Sequence, residues 1–433
     1  MNRLWSRPGL WAVVGSHTLA DFYIGAVEAT LPYLVTRAHY SYAAIAGLSL
    51  AMTGAASIAQ PGFGFLADKQ RLRWAVPACI AVTGLCASLA AADPNQYLYV
   101  WVMIALAGMA SAGYHPPATV IVREIAPGSN VVMSVFAAAG NLGVALGPLA
   151  VVAVVGPMGL SATSWLIVPG ALGLALYLLA GRQHDVLRQR IRPKPAAAAP
   201  SGGGGARLLA VPVVEAGTGE HAPGDGEESD RWGWFGLLMA SMTVWQLCFI
   251  ATSTFIGVFL IREFGASNSA ASLPLALLPA AGAGGTLLGG WLADRAGRVA
   301  VIRVGYAGAL CGAVAIAVAP AAWVAVIGTC VLGAGIFLPF APHITLSHSY
   351  LPRRIGAASG ISIGVTSAIG GLMSTGLGHL ADASGLRVVF VILAAALAVG
   401  IVVGFTLRDP VTRKRPMTDE TTADALVIAK IEP

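Results

Sequence analysis

The sequence predicts an all-α integral membrane protein: twelve transmembrane helices arranged as two pseudo-symmetric six-helix bundles. Three observations carry this. First, 56% of the 433 residues are hydrophobic and only 11% are charged, with a mean hydropathy of +0.74. A soluble domain carries roughly 25% charge, so that class is excluded. Second, the apolar residues recur in blocks of about 20–27, each long enough to cross a hydrocarbon layer of ~30 Å. A β-barrel would instead show alternating segments of ~10 residues. Third, six such blocks are followed by a long polar gap and then by six more.

In chain order the expected spans are 10–36, 41–67, 74–92, 96–122, 129–154 and 160–181, then 234–261, 270–293, 299–319, 321–346, 354–380 and 386–407. The first run starts near Leu10 and exceeds the ~7–15 residues of a signal-peptide core, so no cleavable signal is expected. The gap opens with Arg182, Arg188, Arg190, Arg192 and Lys194, continues through an alanine run and Gly202–Gly205, and ends with Asp225, Glu227, Glu228 and Asp230. Such a segment buries too little apolar surface to fold and reads as a linker. The expected organisation is an N-terminal bundle (1–181), a flexible cytoplasmic linker (182–231), a C-terminal bundle (232–408) and a cytoplasmic tail (409–433).

Orientation follows from the basic residues. With both termini cytoplasmic, all 26 lysines and arginines except Arg37, Arg262 and Arg387 fall on the cytoplasmic side. The net charge of +6 therefore reports topology, not a nucleic-acid partner. Cys79, Cys86, Cys248, Cys311 and Cys330 all lie in apolar blocks without CxxC spacing and read as small buried hydrophobes. No metal site is expected.

The halves repeat at constant offset. Gly64-Phe-Leu-Ala-Asp68 ends span 2, and Gly290-Trp-Leu-Ala-Asp294 ends span 8, 226 residues later. The second copy continues Arg295-Ala-Gly297-Arg298; the first continues Lys69-Gln-Arg71-Leu-Arg73, without the second glycine. Small residues allow close helix approach, the aspartate can face a helix N-terminus, and the arginines can pair with acids or helix C-termini. Such contacts suit a gate made in one state and broken in another. The motif resembles the cytoplasmic signature of the major facilitator superfamily.

Span 1 holds the most informative charges. His17, Asp21 and Glu28 are spaced by 4 and 7 residues, which places them on one helix face over roughly 16 Å of axis. Acids inside a span cost about 2.5–3.5 kcal/mol each and are usually functional. These three are the candidate proton-coupling groups, joined by His115, which sits in span 4 within Gly113-Tyr114-His115-Pro116-Pro117, where the prolines disturb the helix. The corresponding span 7 residues are Leu247 and Thr254, so the acids belong to the N-terminal half. Span 5 reads Gly140-Asn141-x-Gly143-x-x-x-Gly147-Pro148. Gly143, Gly147 and Pro148 form half of a pattern seen in drug–proton antiporters, or simply allow close packing. Tyr114, Asn141 and Gln246 are candidate cavity residues; His343 and His348 read as interfacial.

Taken in order, His17-x-x-x-Asp21, Gln60-Pro61-x-x-Gly64, Gly113-x-His115-Pro116, the span 5 motif, Leu351-Pro352-x-x-Ile355-Gly356 and Gly378-x-x-Ala381-Asp382 resemble the fosmidomycin-resistance family of major facilitators. The resemblance covers most of the helical chain but not the linker or tail. It implies proton-driven export, from the bacterial cytoplasm, of small drug-like and often anionic compounds, and it points to His17, Asp21, His115 and Asn141. One departure stands out: the family commonly has glutamate after the His-Pro pair, where this chain has Pro117. The expectation is a monomeric, proton-coupled exporter in the bacterial cytoplasmic membrane, driven by the proton gradient without a cofactor, with a small molecule and the lipid bilayer as its partners. A proton symporter importing an organic acid or sugar is the alternative. A non-transporting sensor or an enzyme is remote, since no nucleophile cluster, HExxH or phosphate-binding loop is present.

Overall fold

The computed structural model describes residues 8–69, 74–126, 130–183, 229–354, 358 and 361–410; within these, a few side chains, among them those of 64–69, Arg123 and Asp294, are not described. Arg73, most of the linker (184–228) and the tail beyond 410 lie outside the described residues.

The N-terminal half contains α1 (Pro8–Arg37), α2 (Tyr42–Lys69), α3 (Ala75–Leu89), α4 (Tyr97–Ile125), α5 (Asn130–Met158) and, after a 3₁₀ turn Leu160–Leu166, α6 (Ile167–Gln183). The C-terminal half contains α7 (Trp232–Phe264), α8 (Asn268–Ala296), α9 (Arg298–Ala317), α10 (Ala322–Phe337), α11 (Phe340–Tyr350), α12 (Thr366–Ser384, entered through a π turn Ile361–Val365) and α13 (Arg387–Thr406). Eleven segments among the described residues are long and apolar enough to cross a membrane. The twelfth, α3, has 15 residues, or about 22 Å at 1.5 Å per residue.

Two expected spans are reshaped, and prolines explain one of them. Span 10 breaks at Leu338–Pro339 into α10 and α11, because Pro339 and Pro342 each lack a backbone donor. Span 11 passes through a π turn at Ile361–Val365 and runs on to Ser384, beyond its expected end.

The halves meet through α2 against α12 and α5 against α8. Glycines set the approach within each half. A Cβ at Gly143 would stand 2.1 Å from the Thr18 carbonyl oxygen, and one at Gly147 would stand 2.4 Å from Ala26 N. Backbone therefore lies on backbone between α5 and α1. In α8 the same spacing recurs as Gly282, Gly285 and Gly289, where a Cβ would strike Phe337, Ala334 and Leu338. Gly290 of the repeated motif meets nothing within 4 Å.

With an even number of crossings between them, the start of α1 and the end of α13 fall on one face, here called the terminal face. At the opposite face two of the exceptional arginines satisfy helix C-termini, where carbonyls lack partners. Arg37 donates to the Val155 and Gly156 carbonyls at the end of α5, and Arg387 to those of Ala317 and Ala319 at the end of α9. Cys79, Cys86 and Cys248 are buried, as expected; Cys330 is half-buried and Cys311 is exposed on the bundle surface, corrections that reflect their outward helix faces.

Candidate functional site

α1 carries His17 and Asp21 one turn apart, so both side chains project to one side. His17 Nε2 lies 3.3 Å from Asp21 Oδ2. α4 brings His115 Nε2 to 3.6 Å from Asp21 Oδ1. α5 supplies the floor: the Phe136 ring stacks on His17 with centroids 4.1 Å apart, and a Cβ at Gly140 would stand 2.5 Å from Asp21 Oδ2. Only glycine leaves room for that carboxylate.

One bond fixes the chemistry. His17 Nδ1 is 2.6 Å from the Phe136 carbonyl oxygen. A carbonyl only accepts, so Nδ1 carries a proton and donates it. His17 Nε2 then faces Asp21 Oδ2 with a single proton to share: imidazolium with carboxylate, or neutral imidazole with carboxylic acid. Asp21 Oδ1 is buried without a hydrogen-bond partner among the described residues. His115, whose side chain is 31% exposed, stands just beyond hydrogen-bond reach of that oxygen. The arrangement can hold, exchange and pass on one proton. The three groups also place possible ligand atoms within 4.8 Å of one another, close enough to hold a metal ion.

The remaining site residues separate into distinct places. Glu28, two turns further along α1, lines a cavity of about 210 Å³ between the halves, together with residues of α2, α4, α7, α12 and the π turn. Gln246 lines the same cavity. Tyr114 is fully buried and bonds Ser16 at 2.7 Å, behind the histidine pair. Asn141, half-buried on α5, is not among the cavity-lining residues.

Of the repeated motif, Gly64 and Asp68 are placed in α2 and Asp294 in α8 by backbone alone. Gly297 has φ +88°, the left-handed turn that joins α8 to α9. Arg295 stacks on Trp291 at 3.9 Å. Arg298 pairs with Asp409 and donates to the Thr345 carbonyl and to Ser349. Among the described residues its bonds run to α11 and to Asp409.

Two features were missed by sequence reasoning. His343 is not interfacial: it is 1% exposed, with Nε2 3.3 Å from Ser241 Oγ and 3.4 Å from Tyr306 Oη. The break at Leu338–Pro339, which the prolines signalled, sets α11 against α9 and α7. Asp382 accepts the backbone N–H groups of Tyr42 and Ala43, so an α12 residue caps α2 across the two halves. Among the described residues, Asn268 to Thr36 and Thr375 to the Ala46 carbonyl also join the halves, and Ser49 with Thr254 joins them at the cavity wall. Among the described residues, the Asp382, Asn268 and Thr375 bonds hold the opposite face together.

Comparisons with known proteins agree with this architecture. The sequence matches the profile of the Major Facilitator Superfamily over residues 13–375. It is 25% identical to the fosmidomycin resistance protein of Escherichia coli (strain K12) over 399 residues, 92% of each chain. It is 23% identical to YfnC of Bacillus subtilis (strain 168), an uncharacterized MFS-type transporter, over 89% of each. A bacterial homologue of the human lysosomal transporter Spinster, in an inward-facing and occupied conformation, superposes with a TM-score of 0.70 at 15% identity, covering 92% of this chain and 95% of that one. With the twelve apolar segments, the helix pairs between the halves and a family match across most of its length, the chain belongs to the Major Facilitator Superfamily and is a multi-pass membrane transporter.

Proposed function

We propose that this transporter is a proton-coupled exporter of a small drug-like compound, working by alternating access in the bacterial cytoplasmic membrane with both termini in the cytoplasm. It uses the proton gradient and no cofactor. The observation that carries this reading is the placement of His17 Nε2 3.3 Å from Asp21 Oδ2 while Nδ1 is held by the Phe136 carbonyl, which leaves Nε2 and the carboxylate as the pair that can take up and release a proton. An ionisable pair at membrane depth that can exist in two protonation states suits coupling. The fosmidomycin-resistance relative supports the direction. On this reading the closed opposite face is periplasmic, and the chain stands in a conformation that receives cargo from the cytoplasm.

Asp21→Asn removes the acid and keeps its shape. In proteoliposomes, proton-driven drug efflux is expected to fall at least about tenfold, with monodisperse protein and substrate counterflow retained, since counterflow needs no proton movement. Unchanged proton-driven flux in this variant would sink the coupling role. Uptake driven by an inward proton gradient would replace export with symport. Transport abolished by chelators and restored by a divalent cation would reassign the cluster to a metal.

A further inference from the structure

We propose that the inter-half cavity binds a small protonated amine with an apolar body, with Glu28 as its counter-charge; this deepens the exporter reading and rests on the cavity being that transporter's cargo site. Among the described residues that line it, Glu28 is the one charged group; no lysine, arginine or histidine lines it. Much of the rest of the wall is apolar, including Ile24, Val27, Met52 and Phe249.

The hydroxyls of α2 sharpen the class. Thr53 donates to the Ser49 carbonyl and Ser57 to the Thr53 carbonyl. Thr254 donates to the Ile250 carbonyl at 2.7 Å, so the hydrogen between Ser49 and Thr254 belongs to Ser49. Each hydroxyl has one hydrogen to give. Ser49, Thr53 and Ser57 have all committed theirs inside the protein, and they face the cavity with lone pairs. These positions offer acceptors, a carboxylate and three hydroxyl oxygens, while Gln246, Ser111 and Ser367, which also line the cavity, can both donate and accept. An ammonium group brings three donors and a positive charge to match. A phosphonate or carboxylate would bring only acceptors and a second negative charge, with no cation to receive it. The volume, about 210 Å³, lies below the ~300–1,000 Å³ of drug-sized pockets, which favours a compact amine. Phe249 also lines the cavity, and aromatic rings attract cations.

The test is equilibrium binding to purified protein in detergent, which needs neither a proton gradient nor a direction of transport. Benzylamine, benzyl alcohol and phenylphosphonate are compared by isothermal titration. Benzylamine is expected to bind at least about tenfold more tightly than the other two. Glu28→Gln is expected to remove that preference, and Glu28→Asp to restore part of it. Tighter binding of phenylphosphonate, no preference for the amine in the wild type, or an undiminished preference in Glu28→Gln overturns the proposal. The wild-type comparison decides even if both variants fail to fold. Selective amine binding without proton-driven flux would support the cavity assignment while removing the coupled-exporter reading.

Discussion

Asp382 Oδ1 and Oδ2 accept the backbone N–H groups of Tyr42 and Ala43 at 2.7 and 2.9 Å, so a carboxylate from one half caps the first turn of a helix in the other. A helix N-terminus presents unsatisfied donors and a partial positive charge. The cap exists only while the two halves meet at the opposite face, and its worth is therefore a bias between conformations.

Asp382→Ala should shift that bias. Losing an N-cap costs about 1 kcal/mol, or roughly a fivefold change in the equilibrium between closed and open states. Spin labels at Ser41→Cys and Ser384→Cys in a cysteine-free background should show a larger fraction of long distances by pulsed electron resonance. An unaltered distribution would mean the cap carries no conformational bias.

The two histidines at Asp21 should differ in weight. His17 is held on both sides, by the Phe136 carbonyl and by Asp21, whereas His115 stands at 3.6 Å without a bond to the acid. His17→Gln should lower proton-driven flux at least about tenfold, and His115→Gln by only about threefold, with both proteins folded. Equal losses, measured in the same vesicles, would place His115 on equal footing in the proton path.

Adjacent glycines of α8 should part company. A Cβ at Gly289 would stand 1.8 Å from the Leu338 carbonyl oxygen, so Gly289→Ala must displace backbone, at a cost of about 1–3 kcal/mol. Gly290→Ala meets nothing. Thermal unfolding in detergent should show a lowered midpoint for Gly289→Ala and an unchanged one for Gly290→Ala. Slowed transport in Gly290→Ala despite normal stability is expected if that surface packs only when the terminal face closes.

Much of the site was legible before any coordinates. The i, i+4 spacing of His17 and Asp21 dictates their contact, and the glycine spacing of span 5 dictates a close approach, because both depend only on helix geometry. What stayed hidden depends on tertiary placement. The Phe136 partner of His17 is a backbone carbonyl, which no residue type announces. Asp382 reads as one more acid at a helix end until α2 is seen beneath it. His343 was misplaced because proline marks a break but not the direction in which the chain leaves it. The motif glycine at 290 drew the eye, while the packing contact in this conformation falls on its neighbour.

The backbone contact of α5 on α1 has a mechanical meaning. With Gly143 and Gly147 seated on Thr18 and Ala26, no side chain lies between the two helices at those points to tilt or slide. They form one stiff lever that carries both acids. Asp21 and Glu28 then keep a fixed separation of about 10 Å along the axis whichever way the transporter faces. Communication between them has to travel through charge and through the closing partner helices, not through a change in their spacing.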